Sequence, residues 1–198
     1  SLLFFLMWMV PCIAQAQLQL VVLDPGHGGE NLGAPARFHS GQFEKHFTLP
    51  LARYVAEALR NQGIGVVLTR EDDRDLELWE RVSMANRLGA DVFVSLHMNS
   101  TVKPGPSGHI SYLLSDDASD EAARRLVDFE NHNPTTVKRA AYPKAKVDDV
   151  HDILLDLTRN QAHADSQALA NAIQKNLSQY QPHENRGVKQ APFNVLKG

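Results

Sequence analysis

Three short stretches of the chain carry the side chains that could do chemistry. Asp24-Pro-Gly-His-Gly-Gly29 sets His27 among glycines, which let a backbone turn sharply and leave room around an imidazole. Glu44-Lys45 places a carboxylate beside a cation, and Ser95-Leu-His-Met-Asn99 carries His97 at the end of an apolar run. Two imidazoles and one carboxylate make a donor set suited to catalytic zinc. Three protein ligands leave a fourth position for water, and the ion acidifies that water and polarises a carbonyl. The residues are remote along the chain, so spacing alone does not bring them together. Two loop histidines and a solvated carboxylate at a helix start are the plainer reading. Glu30, close to His27, competes with Glu44 as the carboxylate donor.

Other residue types narrow the choice. Cys12 is the only cysteine, which excludes an internal disulfide and a thiolate metal site. A net charge of −3 gives no strong field to hold nucleic acid or anionic lipid. With 198 residues, 43% hydrophobic and 22% charged, the chain can bury the core of one globular domain. Residues 1–16 differ from the rest. Their apolar run from Leu2 to Ile13 is too short to span a bilayer and ends in Ala14-Gln15-Ala16, a small-residue cleavage pattern. It reads as part of a signal peptide cut after Ala16, without its basic start, and implies an exported, periplasmic protein with no membrane span after cleavage. A buried N-terminal strand or helix is the alternative.

These side chains need a scaffold. Apolar runs at Gln19–Leu23, Val66–Thr69, Asp91–Leu96 and Gly108–Ser115 read as strands, and VVL and VFV suggest strands covered on both faces. Helical spacing runs over Phe43–Gln62 (Leu51, Val55, Ala58, Leu59), ended by Gly63. Pro50 either kinks that helix or, with Thr48 as the N-cap, falls in its first turn. Asp75 can cap a helix reaching about Leu88. Further helices are expected over about Asp120–His132, Val147–Asn160 and Asp165–Tyr180. The last of these turns Leu169, Ile173 and Leu177 inward, and Ala191–Leu196 looks like the start of a strand. The alternation predicts an α/β fold: a mostly parallel twisted sheet flanked by helices, with a helical insertion over 116–163. His27 and His97 then sit at carboxyl ends of strands, where open α/β sheets place their sites.

The order of the motifs goes further. DPGHGG (24–29), EK (44–45), TR..D (69–73), R...AN (81–86), SLHMN (95–99), RGVK (186–189) and FNVL (193–196) follow one another. Together they resemble the zinc-dependent N-acetylmuramoyl-L-alanine amidases of the cell-separation type, over nearly all of residues 19–198. The resemblance implies Zn2+ held by His27, Glu44 and His97, and prefers Glu44 to Glu30. It implies hydrolysis of the bond between the muramyl lactyl group and L-alanine of peptidoglycan. Asn99 is then either a support for the His97 loop or a turn residue. Arg70 and Arg81 are expected in structural ion pairs rather than on substrate. His46, on another helix face than Glu44, is not expected to reach the ion.

Two departures matter. The general-base Glu of the family falls on a strand beyond Gly198, so the chain as given reads as a fragment without it, at a cost of about 10²–10⁴ in rate. The insertion resembles that of relatives held inactive by a helix over the zinc. There Leu126-Val-Asp-Phe-Glu-Asn131 makes Glu130 the blocking carboxylate, and Ile153–Leu157 matches a second helix. An activator with a LytM-type domain is the implied partner. Glu130 as an ordinary acidic residue of a solvated helix is the plainer reading. A zinc peptidase cutting within the stem is one alternative, and a non-catalytic domain binding murein or a partner is another.

Overall fold

The computed structural model describes residues 18–37, 39–100, 107–132, 149–180 and 184–197, with only the backbone of 149–157. The expected signal peptide and Cys12 lie outside them. Strand β1 (Leu20–Pro25) is central, with β2 (Gly65–Leu68) on one side and β3 (Val92–Leu96) on the other, both parallel to it. A second ladder pairs β4 (His109–Leu114) with β5 (Asn185–Ala191), again parallel. Four helices among the described residues complete the order: α1 (Lys45–Arg60), α2 (Leu78–Leu88), α3 (Glu121–Asn131) and α4 (Asp149–Tyr180). The expected α/β architecture is present, but the sheet is two ladders, because β3 and β4 do not hydrogen-bond.

Apolar burial locks the first ladder. Val21 and Leu23 of β1 meet Val66 and Leu68 of β2 and Ala52 and Ala56 of α1. The two alanines, four apart on one helix face, let α1 approach the sheet closely. Residues Val21–Pro25 are buried as the VVL run suggests, whereas β3 is only half-buried along its length. The second ladder has its own core. Ala123 and Val127 of α3 pack with Ala191, Phe193 and Val195, and Phe93 of β3 reaches into this group. At the start of α3, the Asp120 side chain accepts from the Ala123 N–H and caps the helix.

Several expected details differ. Helix α1 starts at Lys45 and runs through Pro50; Thr48 is buried inside it and does not cap it. Asp75 does not cap α2. Glu77 is the N-cap, and its N–H donates to the Glu80 carboxylate, while Asp75 stands 3.9 Å from Arg81 Nη2. The two helices expected over 147–160 and 165–180 are one, so the insertion drawn at 116–163 ends inside α4. Asp165, taken as a helix start, accepts from the Gln161 side chain one turn earlier. Leu169, Ile173 and Leu177 are exposed; Ala170 and Gln174 are the buried residues of that stretch. The last strand begins at Asn185 and ends at Ala191, because Pro192 has no N–H to continue a ladder. Asn194–Leu196 is a 3-10 turn rather than a strand.

Candidate metal centre

The loop after β1 carries the first donor. At His27 the backbone turns into the left-handed region, φ 60°, uncommon for a residue with a side chain. Charged and hydroxyl side chains tie this loop down from behind. Asp24 is fully buried and accepts from Arg81 Nη1 at 2.8 Å, Thr69 Oγ1 at 2.6 Å and Ser95 Oγ at 2.6 Å. Burial alone would raise its pKa, but Arg81 and the two hydroxyls hold it below the ordinary carboxylate value. Lys45 Nζ donates to Gly29 O and Asp73, and Asp73 accepts from the Gly29 N–H. Thr48 Oγ1 donates to Gly26 O.

The donors converge in front of that loop. His27 Nε2 lies 3.0 Å from Glu44 Oε2, and His97 Nδ1 lies 3.1 Å from Glu44 Oε1. Glu130, carried in by α3, has Oε2 at 3.6 Å from His27 Nε2 and 3.5 Å from His97 Nδ1. One ligand atom from each of the four falls within 4.8 Å of all the others. Glu44 is buried at the start of α1. The main-chain N–H groups of Ala34 and Met98 each donate to one of its oxygens, at 3.1 and 2.6 Å. Burial works to raise its pKa, yet the two facing histidines carry it well below the usual range. Burial likewise lowers the pKa of His97, but Glu44 and Glu130 outweigh it and the net shift is upward. Glu130 is pushed up, chiefly by burial.

A divalent ion fits these residues. His27 Nε2 and Glu130 Oε1 are buried atoms without a hydrogen-bond partner, a costly state for a polar group with nothing to face. Two glycines keep the space open. A Cβ on Gly26 would lie 2.5 Å from His97 Cε1, and one on Gly33 would lie 2.6 Å from His27 Cδ2. Asn31 orients His27: its Oδ1 sits 2.9 Å from Nδ1 and can only accept, so the proton is assigned to Nδ1 and the Nε2 lone pair faces the cluster.

The structure thus brings His27, Glu44, His97 and Glu130 together. Glu30 is exposed at the wall of the same cleft and is not part of the cluster. Asn99 is exposed; the loop after β3 is tied by the Met98 N–H on Glu44 and by Ser100 Oγ on Pro35 O. Arg81 forms the expected ion pair with Asp24, whereas Arg70 donates to main-chain carbonyls and Thr48 instead of pairing. His46 accepts from the Phe43 N–H and stays outside the cluster. Sequence reasoning missed Asn31, Asp24, Thr48, Thr69, Ser95 and Asp73 as supports. The signal was available in part: Thr69, Asp73 and Ser95 lie inside the ordered motifs, and Asn31 lies four residues after His27.

A cluster of imidazoles and carboxylates at the carboxyl ends of parallel strands defines a candidate metal centre on an α/β fold, and comparison with known proteins narrows the class. Residues 21–198 match the family model described as N-acetylmuramoyl-L-alanine amidase. The amidase AmiA of Escherichia coli strain K12 is 36% identical over 180 residues, covering 90% of this chain and 61% of that protein. The amidase AmiC of Neisseria meningitidis serogroup B is 31% identical over 178 residues, 90% of this chain and 42% of that protein. The crystal structure of an N-acetylmuramoyl-L-alanine amidase from Clostridium difficile 630 has a TM-score of 0.60 at 25% identity, covering 90% of this chain and 73% of that one. Cwp6 from Clostridium difficile has a TM-score of 0.60 at 26% identity, covering 92% of this chain and 23% of that one. The chain belongs to the N-acetylmuramoyl-L-alanine amidase family; it spans about 61% of the length of AmiA.

Proposed function

We propose that this protein hydrolyses the amide bond between N-acetylmuramic acid and L-alanine in peptidoglycan, using zinc held by His27, Glu44 and His97. The observation that supports this best is the meeting of His27 Nε2, His97 Nδ1 and the Glu44 carboxylate in one buried cluster. When bound, such an ion supplies Lewis acidity at the scissile carbonyl and lowers the pKa of an attacking water. The chain's own residues do the positioning. Asn31 holds the His27 ring, and the Ala34 and Met98 N–H groups hold the Glu44 carboxylate, so neither donor must reorganise. The cleft in front is walled by Leu32, Leu78, Phe129 and Val195, apolar groups that limit water around the reacting amide.

In our reading Glu130 keeps the site closed. Its Oε2 stands within 3.6 Å of both histidine nitrogens, where the substrate carbonyl has to enter. Turnover then requires α3 to move, and a division-associated activator with a LytM-type domain is the partner this proposal names. The place of action is the periplasm, reached through the signal peptide read at residues 1–16. No helix among the described residues is long and apolar enough to cross a membrane.

The test is product analysis on purified sacculi with the full-length protein carrying Glu130→Ala. The expected products are intact stem peptides beginning with L-alanine, lost on chelation and restored by zinc. Stems cut internally would point to a peptidase. Sacculi bound but left uncut would point to a binding domain.

A further inference from the structure

Three consecutive carbonyls where β1 ends and its loop begins, those of Pro25, Gly26 and His27, are all turned onto two buried guanidiniums. Arg81 donates through Nη1 to Pro25 O at 3.0 Å and through Nη2 to His27 O at 3.2 Å. Arg70 donates through Nε to Pro25 O at 2.9 Å and through Nη2 to Gly26 O at 2.9 Å. Neither side chain is exposed: Arg70 is 0% and Arg81 2% accessible. Burying two like charges side by side is costly, and apolar packing would stabilise a fold at least as well. Burial and the neighbouring Arg81 both lower the Arg70 pKa, which marks that cost. Only Asp24 among their hydrogen-bond partners carries charge; the other acceptors are carbonyls and the Thr48 hydroxyl. What the pair achieves is geometric. A planar fork holds two acceptors at a fixed separation and orientation, whereas an ammonium group is a rotatable point donor that imposes no such geometry. The conformation so fixed includes His27 at φ 60°.

We infer that Arg81 and Arg70 are positioning residues for the metal donor His27, holding its loop in the left-handed turn that aims the imidazole at Glu44 and His97. The inference rests on the reading of His27 as a metal donor. Neither arginine touches the ion or the substrate in this role. Arg81 acts through peptide groups on both sides of His27 and Arg70 through the two that precede it, as outer supports of a metal ligand do.

The test compares Arg81→Lys and Arg70→Lys with the parent, with His27→Ala and with Leu113→Ala, a buried-core change in the second ladder. Zinc affinity is read by competition with a chromophoric chelator, donor geometry by the visible absorption of the cobalt form, and folding by circular dichroism and Tm. Both lysine variants are expected to keep the fold, bind zinc about 10- to 100-fold more weakly and show a changed cobalt spectrum. Leu113→Ala is expected to lose Tm while keeping parental affinity and spectrum. If Arg81→Lys does not fold, Arg70→Lys decides, since it meets two of the three carbonyls. Parental affinity and spectrum in the folded lysine variants, with binding lost in His27→Ala, would overturn the inference alone. A parent that binds no zinc would take down the metal reading with it.

Discussion

At the scale of the residue, a single methyl group probes the site. Ala at Gly26 puts a Cβ 2.5 Å from His97 Cε1 and 2.6 Å from Nε2, so the ring or the loop must shift. Gly26→Ala is expected to weaken zinc binding at least ~10-fold, checked by chelator competition; unchanged affinity would show that the shift is without cost. Asp24 answers to pH. Its folded pKa lies below its ordinary value of 3.8, so its stabilising contribution is complete above that value and is lost as the pH falls through the lower one. Asp24→Asn removes the buried counter-charge 2.8 Å from Arg81 and leaves it, among the described residues, only Asp75 at 3.9 Å, at a cost of ~3 kcal/mol at neutral pH. The substitution also removes this residue's part of the acid-side decline. Urea unfolding between pH 3 and 7 checks both parts, and parallel curves for parent and variant would refute the second. The sequence named His27, Glu44 and His97 because they sit in short ordered motifs, and Glu130 only through the resemblance of the insertion. It could not show their convergence, because that depends on hydrogen bonds such as Asp24 to Thr69, Ser95 and Arg81, which span 45 to 71 residues.

At the scale of the element, α3 is the part that carries Glu130 to the cluster. It is held at its start by Lys189 on Asp120, along its face by Ala123 and Val127, and at its end by Asn131. Asn131 donates to Pro192 O at 3.2 Å and accepts from the Asn194 N–H at 2.9 Å, bridging to the turn after β5. If α3 blocks the site, Glu130→Ala raises basal activity of the full-length protein by removing the block. Asn131→Ala raises it less, by loosening the helix while leaving the carboxylate in place. Sacculus hydrolysis without activator checks the order; no rise in either variant would count against autoinhibition. Helix α1 turns Ala52 and Ala56 inward and leaves the expected Ala58 exposed, and β5 was not foreseen at Asn185–Ala191, yet β1 to β4 and the existence of α1 to α3 were legible from their apolar spacing. The long α4 was not. Gln161–Ala164 carry no helix breaker, and Asp165, which resembles a cap, is used within the helix. The buried face there is Ala170 and Gln174, a small residue and an amide that hydropathy does not mark, so the inward side was placed one residue off.

At the scale of the whole molecule, the four donors come from two cores. His27, Glu44 and His97 stand just after β1, just before α1 and just after β3 around the first ladder, whereas Glu130 arrives on α3 from the second. An ion held by all four would link the two cores; an ion held by three would stabilise only the first. In either case, zinc at a hundred times its Kd adds about 2.7 kcal/mol by linkage. For a domain near this size that raises Tm by about 5–10 °C. The distribution of that stabilisation separates the cases. In the parent, zinc is expected to slow amide exchange in α3 as well as in the loop at 24–29. In Glu130→Ala the loop is still protected by zinc but α3 is not, because nothing on the helix then meets the ion. Hydrogen exchange followed peptide by peptide reads both segments in one experiment. If zinc leaves α3 exchange unchanged in the parent, Glu130 does not bind the ion and the helix lies over the site for another reason.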